Sequence, residues 1–64
     1  MPLAVNTATV EELQLLPAIG PKLAANIDDY RGRHGPVASA AAFMEVPGIG
    51  PRLCERLVPL ITFD

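Results

Sequence analysis

The sequence predicts an all-α domain made of two copies of one helix–turn–helix unit, and three observations predict it. Residues 16–22 read LPAIGPK, and thirty positions on residues 46–52 read VPGIGPR. A hydroxyl residue stands at the same offset before each copy, Thr9 and Ser39. Apolar residues around both copies recur at helical rather than alternating spacing. Aligning residues 16–27 with 46–57 gives five identities in twelve: Pro17/Pro47, Ile19/Ile49, Gly20/Gly50, Pro21/Pro51 and Leu23/Leu53. Lys22/Arg52 and Ile27/Leu57 are alike in chemistry. A single turn needs one such phrase; a duplicated phrase implies a duplicated task.

Each element follows from local rules. Thr9-Val10-Glu11-Glu12 has the form of a capping box, in which the Thr hydroxyl accepts from the Glu12 N–H and the Glu12 side chain reaches back. Val10, Leu13 and Leu16 then predict a short helix over about 9–16. Pro17 ends it, because the residue before a proline is pushed out of the α region. Gly20 permits a turn, and Pro21 suits the first position of a new helix, where its missing N–H costs nothing. Leu23, Ala24, Ile27, Tyr30 and Arg31 carry this second helix to between Arg31 and Arg33, with Gly32 weakening its end and Gly35-Pro36 stopping it. Ser39 caps a third helix whose apolar face is Phe43, Met44 and Val46. Pro47-Gly48-Ile49-Gly50 forms the second turn, and the last helix runs from Pro51 through Leu53, Leu57 and Val58 toward Pro59. Ile61-Thr62-Phe63 is β-prone but short, and is expected to fold back as an apolar tail. The expected product is four to five short helices in a single domain, residues 1–64, related by a pseudo-two-fold in a SAM-domain-like bundle. The first unit spans about 9–33, the linker 34–38 and the second unit about 39–60.

Composition narrows the function. A chain of 64 residues buries roughly 60% of its unfolded surface, and half of these residues are hydrophobic, enough for a modest core. One cysteine excludes an intramolecular disulfide, and one His with one Cys cannot build a zinc site. No apolar run approaches the ~20 residues needed to span a bilayer, and MPLAVNTA lacks the charged and apolar regions of a signal peptide. No membrane contact by this segment, no small-molecule substrate and no cofactor are expected. The acidic pairs Glu11-Glu12 and Asp28-Asp29 do not converge, since neighbouring residues on a helix point apart; Asp28 can reach Arg31 and Asp29 can reach Arg33. Cys54 aligns with Ala24, a small position at a helix contact, and reads as a buried thiol rather than a nucleophile. With no catalytic constellation, the chain is read as a non-enzyme.

The repeated turn suggests the positive function. Each second helix opens directly after a Gly, where the first N–H groups have no intrahelical partner and the helix dipole is positive. A Gly there lets an anion approach the backbone, as at phosphate-binding helix N-termini, and Lys22 or Arg52 adds a point charge. Two such turns would hold two backbone phosphates, contacts that position a protein but carry no sequence information. Using backbone amides also reconciles phosphate binding with a net charge of −2. Ile19 and Ile49 read as plugs into the core whose backbones matter more than their side chains. With aromatics scarce, stacking on single strands is the weaker mode.

At these residues the chain resembles tandem helix-hairpin-helix domains, in particular the DNA-binding domain of the competence protein ComEA family. The resemblance rests on LPAIGPKLAANI and VPGIGPRLCERL. It extends to Asn6-Thr7-Ala8, Glu12-Leu13, Tyr30-Arg31 and Gly35-Pro36, and so covers residues 5 to about 61. It implies sequence-independent binding of double-stranded DNA in the minor groove, in DNA uptake and competence. The implied contact positions are Ala18, Ile19, Gly20 and Lys22, then Gly48, Ile49, Gly50 and Arg52, to which Arg56 adds a cation one helical turn past Arg52. Ala18 departs from the usual Gly, and Val37 from the usual aromatic. The membrane anchor implied for full-length members has no counterpart in these residues. A rival reading is a protein–protein interaction module that keeps the fold without DNA. The two separate on whether Lys22, Arg52 and Arg56 stand on the hairpin face clear of carboxylates.

Overall fold

Thr9 and Ser39 start equivalent short helices, each by accepting the N–H three residues on, from Glu12 at 3.0 Å and Ala42 at 3.2 Å. The reciprocal Thr9 N–H to Glu12 Oε1 bond completes the capping box at 2.8 Å. In the computed structural model, which describes residues 2–64, these helices are α1 (Val10–Leu13) and α3 (Ala40–Phe43). The longer helices are α2 (Pro21–His34) and α4 (Pro51–Leu57), with a 3₁₀ turn at Val58–Leu60. Two-residue strands β1 (Leu3–Ala4) and β2 (Ile61–Thr62) lie at the two ends of the chain.

Several expectations are corrected. The first helix is one turn, not 9–16: beyond Leu13 the chain tightens to three-residue bonds, Leu15 N–H to Glu12 O and Leu16 N–H to Leu13 O. Met44 and Val46 likewise lie past the end of α3, and Met44 is exposed. Helix α2 runs through Gly32 to His34, ending where Gly35 turns to φ 82°. The predicted Asp28–Arg31 and Asp29–Arg33 pairs both form across this last stretch, at 2.6 and 3.0 Å. Helix α4 stops at Leu57, one residue short of Val58, and Pro59 falls within the 3₁₀ turn. The C-terminal segment does more than fold back. Leu3 pairs with Ile61 and Ala4 with Thr62 in parallel, and the Val5 N–H donates to Thr62 O at 3.1 Å. The domain is therefore mostly helical with a small strand pair joining its ends, rather than strictly all-α.

The core is a single cluster that includes Leu13, Leu16, Ile19, Ala24 and Ile27 and, thirty residues on, Phe43, Val46, Ile49, Cys54 and Leu57. Every one of these ten is buried, so the burial pattern repeats at an offset of thirty. Val5, Ala8, Val37 and Ile61 complete the cluster. Phe63 meets Phe43 edge-on with ring centroids 6.2 Å apart, a favoured aromatic geometry.

Two polar clips hold the N-terminal segment and linker to this core. The Asn6 side chain bonds the Val37 backbone twice, accepting from its N–H at 2.7 Å and donating to its carbonyl at 2.9 Å. The Arg31 guanidinium donates to Val5 O and Ala8 O at 2.8 Å each and to Asp28. With its side chain only 14% exposed, Arg31 is a structural cation, and its positive charge is spent inside the fold. Asn6, Arg31 and the Gly35-Pro36 break thus have architectural work outside the hairpins.

Candidate nucleic-acid interface

The two turns are built alike, bond for bond. Ile19 N–H reaches Leu16 O at 3.2 Å, and Ile49 N–H reaches Val46 O at 3.0 Å. Each turn carries proline at its second position and a left-handed residue at its third, Ala18 at φ 64° and Gly48 at φ 92°. That is the pattern of a type II turn. The helices that follow open at Gly20 and Gly50, both extended at φ −96°. Their first intrahelical bonds match as well, Ala24 N–H to Gly20 O at 3.0 Å and Cys54 N–H to Gly50 O at 2.9 Å.

The helix starts divide into two kinds. At α1 and α3 a hydroxyl side chain caps the helix, and α1 also carries Glu11 and Glu12 in its first turn. At α2 and α4 there is no side-chain cap, no acid in the first turn and a proline at the first helical position. The amides of Lys22 and Leu23, and of Arg52 and Leu53, precede the first bonded residue and point outward along the axis. No atom outside the neighbouring residues lies within 4 Å of a Cβ placed at Gly20 or Gly50. Their φ is open to any residue, so neither packing nor backbone conformation calls for glycine at these two points. Gly48 is different: beside its positive φ, a Cβ there would collide with Leu23 Cδ2.

The candidate residues fall into three groups. Ala18, Gly20, Gly48 and Gly50 are exposed backbone positions of the turns. Ile19 and Ile49 are buried and their N–H groups are taken by the turns, so they anchor the turns rather than face outward. Lys22, Arg52 and Arg56 are exposed and form no ion pair among the described residues. The acids near the middle of α2 are already matched, Asp28 with Arg31 and Asp29 with Arg33. Glu45 accepts from the Tyr30 hydroxyl at 3.2 Å. Glu55, exposed in α4 between Arg52 and Arg56, is the carboxylate closest to these cations along the chain.

The second turn packs against the start of α2. Leu23 lies under Gly48, and Asn26 Nδ2 donates to Pro47 O at 2.9 Å. Gly48 is thereby set beside the residue that follows Lys22. Sequence reasoning did not find Asn26, whose only signal is that it faces Arg56 in the repeat alignment. No three His, Cys, Asp or Glu side chains converge among the described residues, and no helix there is long and apolar enough to cross a membrane.

The family model described as "Helix-hairpin-helix motif" matches residues 2–62. An uncharacterized protein of Haemophilus influenzae is 44% identical over 55 residues, 84% of this chain and 49% of its own length. ComE operon protein 1 of Bacillus subtilis is 38% identical over 58 residues, 91% of this chain and 28% of its own. Endonuclease/exonuclease/phosphatase family domain-containing protein 1 of Rattus norvegicus is 34% identical over 53 residues, 83% of this chain but 9% of its own. The chain therefore spans half or less of each of these relatives.

Proposed function

The chain belongs to the helix-hairpin-helix motif family, and from that premise we propose that it binds double-stranded DNA through backbone phosphates, without regard to sequence. One observation carries the reading: two of the four helices start capped by their own side chains, and the other two start at bare, unobstructed glycines followed by proline and a cation. A folding sequence that places Thr and Ser caps elsewhere omits them at the two turns that repeat. The omission leaves amides, dipole and a cation free for an anion.

The recurrence of turns, bonds and burial at an offset of thirty supports a pseudo-two-fold between the units. Paired in this way, the turns grip two phosphates of one duplex: Ala18, Gly20 and Lys22 in the first hairpin, Gly48, Gly50, Arg52 and Arg56 in the second. Ile19 and Ile49 hold the turns from beneath. The resemblance to the competence family supports a contact in the minor groove and a use in DNA uptake, a setting that the similarity to ComE operon protein 1 favours. The domain acts by holding DNA and performs no chemistry of its own.

Titrating random-sequence duplex at several salt concentrations tests the proposal. Affinity that falls as salt rises supports it. Absence of binding, or a flat salt response, moves the protein-interaction reading to first place.

A further inference from the structure

The stripe Leu23, Asn26 and Tyr30 on α2 touches the second hairpin at three successive places. Leu23 meets Gly48, Asn26 bonds Pro47 O, and Tyr30 bonds Glu45. Residues at these spacings share one face of a helix, so α2 of the first unit is the surface on which the second turn is seated. The middle contact is the informative one. A type II turn differs from a type I turn chiefly by the orientation of its central peptide plane, here the Pro47–Gly48 peptide. A trans peptide is planar and its C=O and N–H point in opposite directions. By holding Pro47 O toward α2 at 2.9 Å, Asn26 directs the Gly48 N–H away from α2. That N–H has no backbone acceptor among the described residues.

We infer that Asn26 is a positioning residue: it fixes the Pro47–Gly48 peptide so that the Gly48 N–H is presented outward for a phosphate, and so sets the duplex affinity of the second hairpin. The inference rests on the DNA-binding reading. The first hairpin has no equivalent device. The repeat places Arg56 opposite Asn26, and among the described residues no bond from Arg56 to Pro17 O mirrors the one from Asn26 to Pro47 O. There the left-handed station is filled by Ala18, whose Cβ disfavours that conformation. A flip of the central peptide would relieve Ala18, whereas Gly48 has no such strain and its peptide is bonded. Asn is suited to the task because its amide donates to a carbonyl while carrying no charge into a phosphate site.

The test compares the parent with Asn26→Leu, which keeps the size of the side chain but has no donor, and Asn26→Gln, which keeps the donor. Amide NMR spectra of the ¹⁵N-labelled proteins are followed during titration with a random-sequence duplex. The leucine variant should remain folded, bind about three- to tenfold more weakly, the scale of one lost hydrogen bond, and lose most of the duplex-induced shift at Gly48. The shift at Gly20 should persist, and the glutamine variant should recover part of the affinity. A general loss of structure would move both glycine amides together and would overturn the positioning role, as would an unchanged Gly48 shift and affinity in the leucine variant. If the parent itself fails to bind duplex, the DNA reading falls and the positioning role with it. Relaxation dispersion of the free proteins then still decides whether the Pro47–Gly48 peptide is held, with exchange at Gly48 expected in the leucine variant and not in the parent.

Discussion

Ala18 and Gly48 hold the same station thirty residues apart, and both are left-handed, at φ 64° and φ 92°. The fold therefore imposes one backbone shape on both turns, although only one copy supplies the residue that adopts it freely. The substitution of Ala for Gly does not remodel the first turn, since its closing bond survives at 3.2 Å. Its cost is strain.

Ala18→Gly should accordingly stabilise the domain. Relief of a left-handed non-glycine residue is worth roughly 1–2 kcal/mol, and the added freedom of the unfolded chain returns about 0.4–1 kcal/mol. The expected net gain is about 0.5–1 kcal/mol, read from urea denaturation. Gly48→Ala should go the other way by about 1–3 kcal/mol, because strain is joined by the collision with Leu23. Equal and opposite changes at the two sites would show that the Leu23 contact has no weight.

Gly50→Val tests the opposite kind of glycine. A Cβ there meets nothing within 4 Å and φ is ordinary, so the stability cost should stay near that of a poorer N-cap, about 1 kcal/mol or less. Duplex affinity should fall by about tenfold or more, ~1.4 kcal/mol, because the side chain shields the helix N-terminus from a phosphate. A folded variant that binds as well as the parent removes this turn from the interface.

Arg31 separates structural from functional cations. Arg31→Met keeps the stem but strips the donors from Val5 O and Ala8 O; with bonds to charged groups worth about 1.5–3 kcal/mol, a loss of about 2–3 kcal/mol is expected in denaturation. The salt dependence of duplex binding by the folded protein should not change. A shallower salt response would mean that Arg31 reaches phosphate after all.

These contrasts also explain what could be read from the chain. The capping box at Thr9, the proline breaks, the two turns and the paired acids of α2 are set by residues within a few positions of each other, and local rules reach them. The pairing of Leu3–Ala4 with Ile61–Thr62 joins segments from opposite ends, and a two-residue strand carries no period to detect. The Asn6–Val37, Arg31–Val5 and Asn26–Pro47 bonds span 31, 26 and 21 residues, and each uses a residue type common on surfaces. The extension of α2 past Gly32 follows the same division: Arg31, bonded to Val5 O and Ala8 O 26 and 23 residues away, anchors a last turn that the propensity of Gly32 alone weakens. The turn glycines were legible as a pair, but only their surroundings distinguish Gly48, which its positive φ and the Leu23 contact favour, from Gly20 and Gly50, for which the fold has no such preference.

The hairpins should contribute unequally. The second has a seated turn, an unstrained Gly48 and two exposed cations, Arg52 and Arg56, one helical turn apart on α4. The first has Ala18 and Lys22, and the residue aligned with Arg56 is Asn26, whose amide is committed to Pro47 O. Arg52→Ala should therefore weaken duplex binding more than Lys22→Ala in the same titration. An equal or larger loss at Lys22 refutes the asymmetry.

Binding should be weak, salt-sensitive and indifferent to sequence. Each phosphate neutralised contributes about −0.9 to the slope of log K against log salt. Among the described residues three exposed cations are free of ion pairs, Lys22, Arg52 and Arg56, while Arg31 and Arg33 are matched by Asp28 and Asp29. About two to three ion contacts then give a slope of about −2 to −3. Backbone amides add phosphate contacts without releasing further counterions through side-chain charge, so the slope should stay small even if both turns engage. The net charge of −2 opposes approach to the duplex, and affinity should lie within the usual non-specific range of roughly 10⁻⁴–10⁻⁶ M at physiological salt. Base readout would need side chains aimed at groove edges, such as an Arg bidentate to guanine; here Lys22 and Arg52 stand at the second positions of their helices, beside the amides that face phosphate. Two duplexes of unrelated sequence, each titrated at several salt concentrations, check the point. A preference above about tenfold, the scale of one good base contact, would replace backbone recognition with sequence reading.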